Sequence, residues 1–77
     1  MKIEVRLFGF LGRYSPDKRE VFHLNLSAGS TIGDLAASLN IPTSEPRMNL
    51  VNGSHAGDDR VLKDGDNVVL LTPVEGG

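Results

Sequence analysis

The chain has 77 residues, a net charge of −2 and no cysteine. A chain of this length forms one small domain, which buries only roughly 60% of the surface that its unfolded form exposes. Without cysteine there is no disulfide, no thiolate metal site and no cysteine nucleophile. Two histidines are too few to predict a structural zinc site.

Charge and hydropathy predict neither a nucleic-acid partner nor a membrane partner. The first 44 residues carry five basic and four acidic side chains, whereas the remainder carries three basic and six acidic ones. This distribution contains no basic stripe of the kind that binds a phosphate backbone. No apolar run approaches the ~18 residues of a membrane helix. We therefore expect a cytoplasmic domain without a leader segment.

The first third of the chain predicts a β-hairpin. Residues 2–8 and residues 20–26 each alternate between apolar and polar side chains, as half-buried strands do. Glycine, serine and proline between positions 9 and 17 mark a long turn. Two consecutive strands joined by such a loop are expected to pair antiparallel.

A helix follows, because the apolar period changes after residue 30. Four apolar residues recur at helical spacing, and they are Ile32, Leu35, Ala36 and Leu39. Thr31 is a candidate N-cap with Asp34 as its reciprocal partner, and Asn40 is a candidate C-terminal cap. We expect nine or ten helical residues, which packing against a sheet must stabilise because so short a helix is unstable alone.

The second half predicts further strands. Residues 47–52 suit a third strand, and Asn52-Gly53 is a strong tight-turn signal. The polar segment 54–60 has room for one short strand near its start. Residues 67–72 are apolar on both faces, which predicts a central strand or an outer face reserved for a partner. Pro73 ends this strand because proline has no donor for the ladder.

This order of elements predicts an α+β fold with a mixed sheet of four to five strands packed on one main helix. A hairpin, a helix and further strands follow one another in the ubiquitin-like β-grasp fold. In that fold the first and last strands are parallel neighbours at the centre, which suits the apolar last strand. We place the β-grasp domain at residues 1–73 and a flexible tail at residues 74–77.

The tail carries the candidate chemistry, because it ends in Gly76-Gly77. Glycine lacks a Cβ, so a thin tail can enter a narrow channel of another protein. The terminal carboxylate is anionic at neutral pH and a poor electrophile until it carries a good leaving group, such as an adenylate. With the chain ending at Gly77, we expect no processing step. The alternative is that the two terminal glycines occur by chance and have no function.

Four segments resemble the sulfur-carrier family of ubiquitin-like proteins, which includes the small subunit of molybdopterin synthase and the thiamine-pathway sulfur carrier. They are residues 3–8, 51–53, 64–68 and 73–77. They occur in the family's order from one end of the chain to the other, so the resemblance extends over nearly the whole chain. Pro73-Val74-Glu75-Gly76-Gly77 resembles the Pro-Val-x-Gly-Gly ending typical of the molybdopterin branch. That branch commonly has a second proline, and Thr72 stands in its place.

The resemblance implies a function for the tail. An adenylating enzyme of the ubiquitin-activating type would use ATP to adenylate the Gly77 carboxylate, with Gly76 giving access. A sulfur donor would then produce a thiocarboxylate. In the molybdopterin branch the tail inserts into a large catalytic subunit and gives its sulfur to a pterin precursor. The chain would thus be a co-substrate without an active site of its own, and it would bind no cofactor or metal.

Other roles remain open on the sequence alone. A thiamine-pathway carrier would serve thiazole synthase, and a ubiquitin-like modifier would join Gly77 to a lysine of a target protein. Both roles begin with the same adenylate, so the tail does not separate them. A plain β-grasp binding module is a third alternative. Pro73-Val74 favours the molybdopterin branch.

One face of the sheet is a candidate partner surface. Val69 and Leu71 are expected to point away from the helix, with Phe8 beside them on the first strand. Exposed apolar patches on small domains mark contacts with partners. We predict that these residues, together with Pro73 and Val74, bind the adenylating enzyme or the synthase subunit.

The remaining polar candidates are interpreted as solvated surface residues. His23 falls on the polar face of its strand, and His55 lies in a polar segment. Asp58 and Asp59 are adjacent carboxylates, which rarely converge on a cation without further ligands. We therefore predict no metal site.

Overall fold

A computed structural model describes residues 1–73. Its regular elements are β1 (Lys2–Phe8), β2 (Val21–Asn25), α1 (Ile32–Ser38), β3 (Met48–Val51), β4 (Ser54–His55) and β5 (Asn67–Leu71). The four long strands lie within one residue of their predicted bounds, and the short strand is present. The predicted long turn contains two 3₁₀ helices, Gly9–Tyr14 and Pro16–Lys18.

The sheet has the order β2-β1-β5-β3-β4. The central strands β1 and β5 pair in parallel, and the other neighbours pair antiparallel. The parallel register runs from Glu4 opposite Asn67 to Phe8 opposite Leu71. This topology confirms the predicted β-grasp fold, with the first and last strands side by side at the centre.

The core lies between the sheet and α1. The sheet contributes Ile3, Val5, Leu7, Phe22, Val51, Val68 and Leu70, and the helix contributes Ile32, Leu35 and Ala36. The apolar stripes predicted from alternation and from helical spacing are therefore buried against each other. Leu11 is also buried, although it lies in the segment that was interpreted as a long turn, and so is Leu62, for which no element was predicted.

Both ends of α1 are capped. Thr31 Oγ1 accepts the Asp34 N–H at 3.2 Å, and Asp34 Oδ2 accepts the Thr31 N–H at 2.9 Å, so the predicted capping box is confirmed. The helix has seven residues rather than nine or ten, because Asn40 leaves the helical region with φ +61°. The Ile41 N–H then donates to the Ala36 carbonyl at 3.0 Å, which closes a Schellman turn.

The turn before β5 is tied to its neighbours by carboxylates that the sequence analysis did not single out. Asp66 is only 7% exposed, and it accepts the Lys63 N–H at 2.8 Å and the Asn52 side-chain amide at 3.0 Å. Asp64 accepts the Lys2 N–H at 2.7 Å. These bonds fix the start of β5 against β1 and against the turn that follows β3.

The capping box generates a first prediction. Thr31→Ala removes the side-chain acceptor for the Asp34 N–H, so it should lower the free energy of unfolding by about 1 kcal/mol. For a domain of this size the melting temperature should fall by roughly 4–8 °C. Thr31→Ser keeps the hydroxyl and is the matched control. Thermal unfolding checks this, and an alanine variant as stable as the serine variant would contradict the capping role.

Candidate functional site

The face of the sheet opposite α1, here called the outer face, is apolar toward one end. Phe8, Leu71 and Met48 lie side by side across β1, β5 and β3. Val69 and Leu50 form the adjacent pair across β5 and β3. These five residues are named the apolar patch. Phe8 is 43% exposed and the other four are half-buried, so the patch is open to solvent.

The structure places three of these side chains as predicted. Phe8, Val69 and Leu71 alternate with buried residues of their strands and face away from the helix. Met48 and Leu50 were missed. Their alternation in β3 is visible in the sequence, but only the register of β3 against β5 brings them beside Leu71 and Val69.

The other end of the outer face is polar. A notch of about 320 Å³ is lined there by Lys2, Glu4, His23, Asp64, Gly65 and Asn67. His23 Nε2 lies 3.8 Å from Glu4 Oε1, with both side chains substantially exposed. His23 is thus the surface residue that its strand pattern predicted. The same sheet face changes from polar to apolar along the direction in which β1 and β5 run.

The chain leaves β5 at a constrained point next to the apolar patch. Thr72 follows the last register pair, and its Oγ1 accepts the Phe10 N–H at 2.9 Å. Gly9 precedes Phe10 with φ +67°, and a Cβ on Gly9 would lie 2.7 Å from Thr72 Oγ1. Glycine is therefore required at this position both for the backbone angle and for the close approach of Thr72.

A second notch opens at the same point. It has a volume of about 400 Å³ and is lined by Phe10, Pro46, Thr72 and Pro73. Phe10 is 69% exposed and gives this notch an apolar wall. Pro73, a predicted partner residue, thus lies at a surface depression next to the patch. Phe10 was not predicted because it lies in a segment without a strand or helix period.

Gly76 and Gly77 are predicted to carry the chemistry, and Val74 is predicted to bind a partner. They lie outside the described residues, so their roles stay predictions. The described part of the chain ends at Pro73, two residues beyond β5. The described site therefore consists of the apolar patch and the segment that leads into positions 74–77.

Asp58 is a surface residue, as predicted, but its hydrogen bonds were not predicted. Its Oδ1 accepts hydrogen bonds from Arg47 Nη1 at 2.6 Å and from Asn49 Nδ2 at 2.9 Å, although the side chain is 61% exposed. The Asp58 carbonyl also accepts the Gly33 N–H at 2.9 Å. Asp58 thus connects its loop to β3 and to the first turn of α1.

Two wider features of residues 1–73 bear on function. Within this part of the chain, no group of three histidine or carboxylate side chains is placed to hold a metal ion. No helix in the same residues has the length and apolar character that a bilayer crossing requires. His55 is exposed in β4, opposite Leu50.

Comparisons with known proteins agree with this architecture. An uncharacterized protein of Archaeoglobus fulgidus is 33% identical over an alignment of 91 positions, which spans the whole of both chains. The structure is also similar to a chain in the complex of subunits 1 and 2 of molybdopterin-converting factor from Helicobacter pylori. The TM-score is 0.66, and the two chains are 30% identical over the whole of both.

A third relative shares the fold at lower identity. Small archaeal modifier protein 1 of H. volcanii superposes with a TM-score of 0.77 at 20% identity, over 95% of this chain and 98% of that one.

Residues 5–77 match the ThiS family. Because this match spans almost the full length and the β-grasp topology agrees with it, the chain belongs to the ThiS family of ubiquitin-like sulfur-carrier proteins.

Proposed function

We propose that this chain is a sulfur carrier whose Gly77 carboxylate is adenylated and then converted to a thiocarboxylate, as the small subunit of a molybdopterin synthase. The observation that carries the proposal is the position of the apolar patch. Phe8 and Leu71 form the last register pair of β1 and β5, immediately before Thr72 and Pro73. A partner that covers this patch is brought within reach of the C-terminal residues.

The chemistry needs no active site in the chain itself. The Gly77 carboxylate attacks the α-phosphorus of ATP, which forms a P–O bond and releases pyrophosphate. Hydrosulfide from a sulfur donor then attacks the carbonyl carbon of the adenylate. A C–S bond forms, the C–O bond to the phosphate breaks, and AMP leaves with the electron pair. The chain is a co-substrate throughout, and ATP and the sulfur donor are bound by the adenylating enzyme.

The molybdopterin branch is favoured by two observations of different kinds. The ending Pro73-Val74-Glu75-Gly76-Gly77 has the pattern typical of that branch. A chain that is 30% identical over its whole length is a subunit of a molybdopterin-converting factor complex. The proposed final partner is therefore a large catalytic subunit, and the proposed site of action is the cytoplasm. Thiazole synthase or a target lysine would be the acceptor in the alternative roles.

Formation of the thiocarboxylate is the direct test. The full chain is incubated with an adenylating enzyme of the ubiquitin-activating type, ATP and sodium sulfide. Intact mass spectrometry should show one oxygen replaced by one sulfur. Deletion of Gly77 retracts the carboxylate by about 3.5 Å and should reduce the yield roughly a hundredfold, because the reacting atom no longer reaches its position.

A change at a second glycine, far from the C-terminus in sequence, is the control for deletion of Gly77. Gly12 lies in the first 3₁₀ helix, and a Cβ added to it would have no neighbouring atom within 4 Å. Gly12→Ala should therefore form the thiocarboxylate like the unmodified chain. Lysine conjugates without any thiocarboxylate would replace the sulfur-carrier role by the modifier role. Full activity after deletion of Gly77 would leave a plain binding module.

The apolar patch generates a separate prediction about docking. Leu71→Glu puts a charge between Phe8 and Met48, and its desolvation on binding should weaken the complex with the adenylating enzyme at least roughly tenfold. Isothermal titration calorimetry measures the affinity. The control is Asn25→Glu, which makes the same charge change opposite Lys2 at the polar end of the sheet.

The control should change the affinity less than roughly twofold, because a rim or remote charge contributes little to binding. Thermal unfolding of both variants establishes that each is folded at the temperature of the titration. Equal affinities for Leu71→Glu and Asn25→Glu would show that the patch does not bind this partner.

A further inference from the structure

The strand ladder alone does not hold the chain at the point where it leaves the sheet. The register of β1 against β5 ends at the pair Phe8 and Leu71. The bond from the Phe10 N–H to Thr72 Oγ1, at 2.9 Å, extends the connection beyond that pair. It joins two positions that are 62 residues apart in sequence, so it ties the turn after β1 to the exit from β5.

The local backbone makes this connection specific. Gly9 turns the chain with φ +67°, and only the missing Cβ lets Thr72 Oγ1 approach it. On the other side, Pro73 has a fixed φ and restricts Thr72 to an extended conformation. Among the described residues, the Thr72 hydroxyl is the side-chain group whose hydrogen bond links the turn after β1 to the exit from β5.

The contact between Thr72 and Phe10 lies only a few residues from the reacting atom of the proposed function. Four residues follow Pro73, and a fully extended chain of four residues spans at most roughly 14 Å. The direction in which the chain leaves the domain therefore has a large effect on where the carboxylate can lie, and a displacement of about 1 Å can cost up to a hundredfold in rate.

We infer that Thr72 is a positioning residue: its hydroxyl, by accepting the Phe10 N–H, fixes the direction in which the last four residues leave the domain and so aims the Gly77 carboxylate at the adenylating site. The inference rests on the proposed function and adds a residue to it. Thr72 stands where the resembling branch commonly has a proline. A proline at this position would restrain the backbone through its fixed φ, whereas Thr72 restrains it through the hydrogen bond of its hydroxyl.

The test compares three substitutions in the full chain: Thr72→Val, Thr72→Ala and Thr72→Ser. Valine keeps the shape and β-branching but removes the acceptor, alanine removes both, and serine keeps the hydroxyl. Adenylation is followed as ATP–pyrophosphate exchange at varied carrier concentration. Valine and alanine should lower kcat roughly tenfold, because the docked carboxylate is misplaced.

The KM for the carrier should stay within roughly twofold, because docking uses the apolar patch, which these variants retain. Serine should recover most of the kcat. A rise in KM alone, or a serine variant as slow as valine, would overturn the inference. Equal defects in valine and alanine assign the loss to the hydroxyl, whereas a defect in alanine alone assigns it to packing and also overturns the inference.

Amide hydrogen exchange gives a second readout that needs no enzyme. The Phe10 N–H should exchange faster in Thr72→Val than in the wild type and Thr72→Ser, at matched global stability. Equal Phe10 exchange in all three chains overturns the inference even if adenylation proceeds. Absence of adenylate with the wild-type chain would instead overturn the proposed function, and the exchange data would still show whether Thr72 holds the turn.

Discussion

Parallel pairing of β1 with β5 is the constraint on which the rest of the molecule depends. It joins the first strand of the chain to the last, at the centre of the sheet, with Val5 opposite Val68 and Leu7 opposite Leu70. These four side chains are buried against α1. The core is therefore complete only when the C-terminal strand is in place, and this strand ends with Leu71 opposite Phe8 at the end of β1.

The same pairing separates the buried core from the proposed docking surface on the two faces of the sheet. Inward residues of β1 and β5 pack under α1, whereas their outward neighbours Phe8, Val69 and Leu71 remain accessible. Strand alternation makes this division automatic, since neighbouring residues point to opposite faces. Substitutions on the outer face can therefore alter binding without opening the core.

Much of this arrangement could be predicted from sequence because it follows from short-range patterns. Period-two alternation predicted β1 and β2, an apolar run predicted β5, and Thr31 with Asp34 predicted the start of α1. The order of the elements then indicated the β-grasp fold. Within that fold, Val69 and Leu71 were expected to point away from the helix. The elements themselves are predicted from residues close together in the chain, and the fold follows from their order.

Features that depend on register or on long-range contact could not be predicted in this way. Leu11 is buried although its segment has no strand period, because the turn after β1 folds back over the core. Asp58 bonds to Arg47 and Asn49 only after the loop that carries it is placed beside β3. The contact between Thr72 and Phe10 likewise exists only once β5 lies beside β1.

The central claim is that recognition and the exit toward the C-terminus lie at one end of the sheet. NMR titration of the isotope-labelled full chain with its adenylating enzyme tests this most directly. The account predicts line broadening at Phe8, Met48 and Leu71 and at Phe10 and Thr72, with Lys2, His23 and Asn25 at the polar end unaffected. Broadening centred on the polar end, with the apolar patch unchanged, would contradict it.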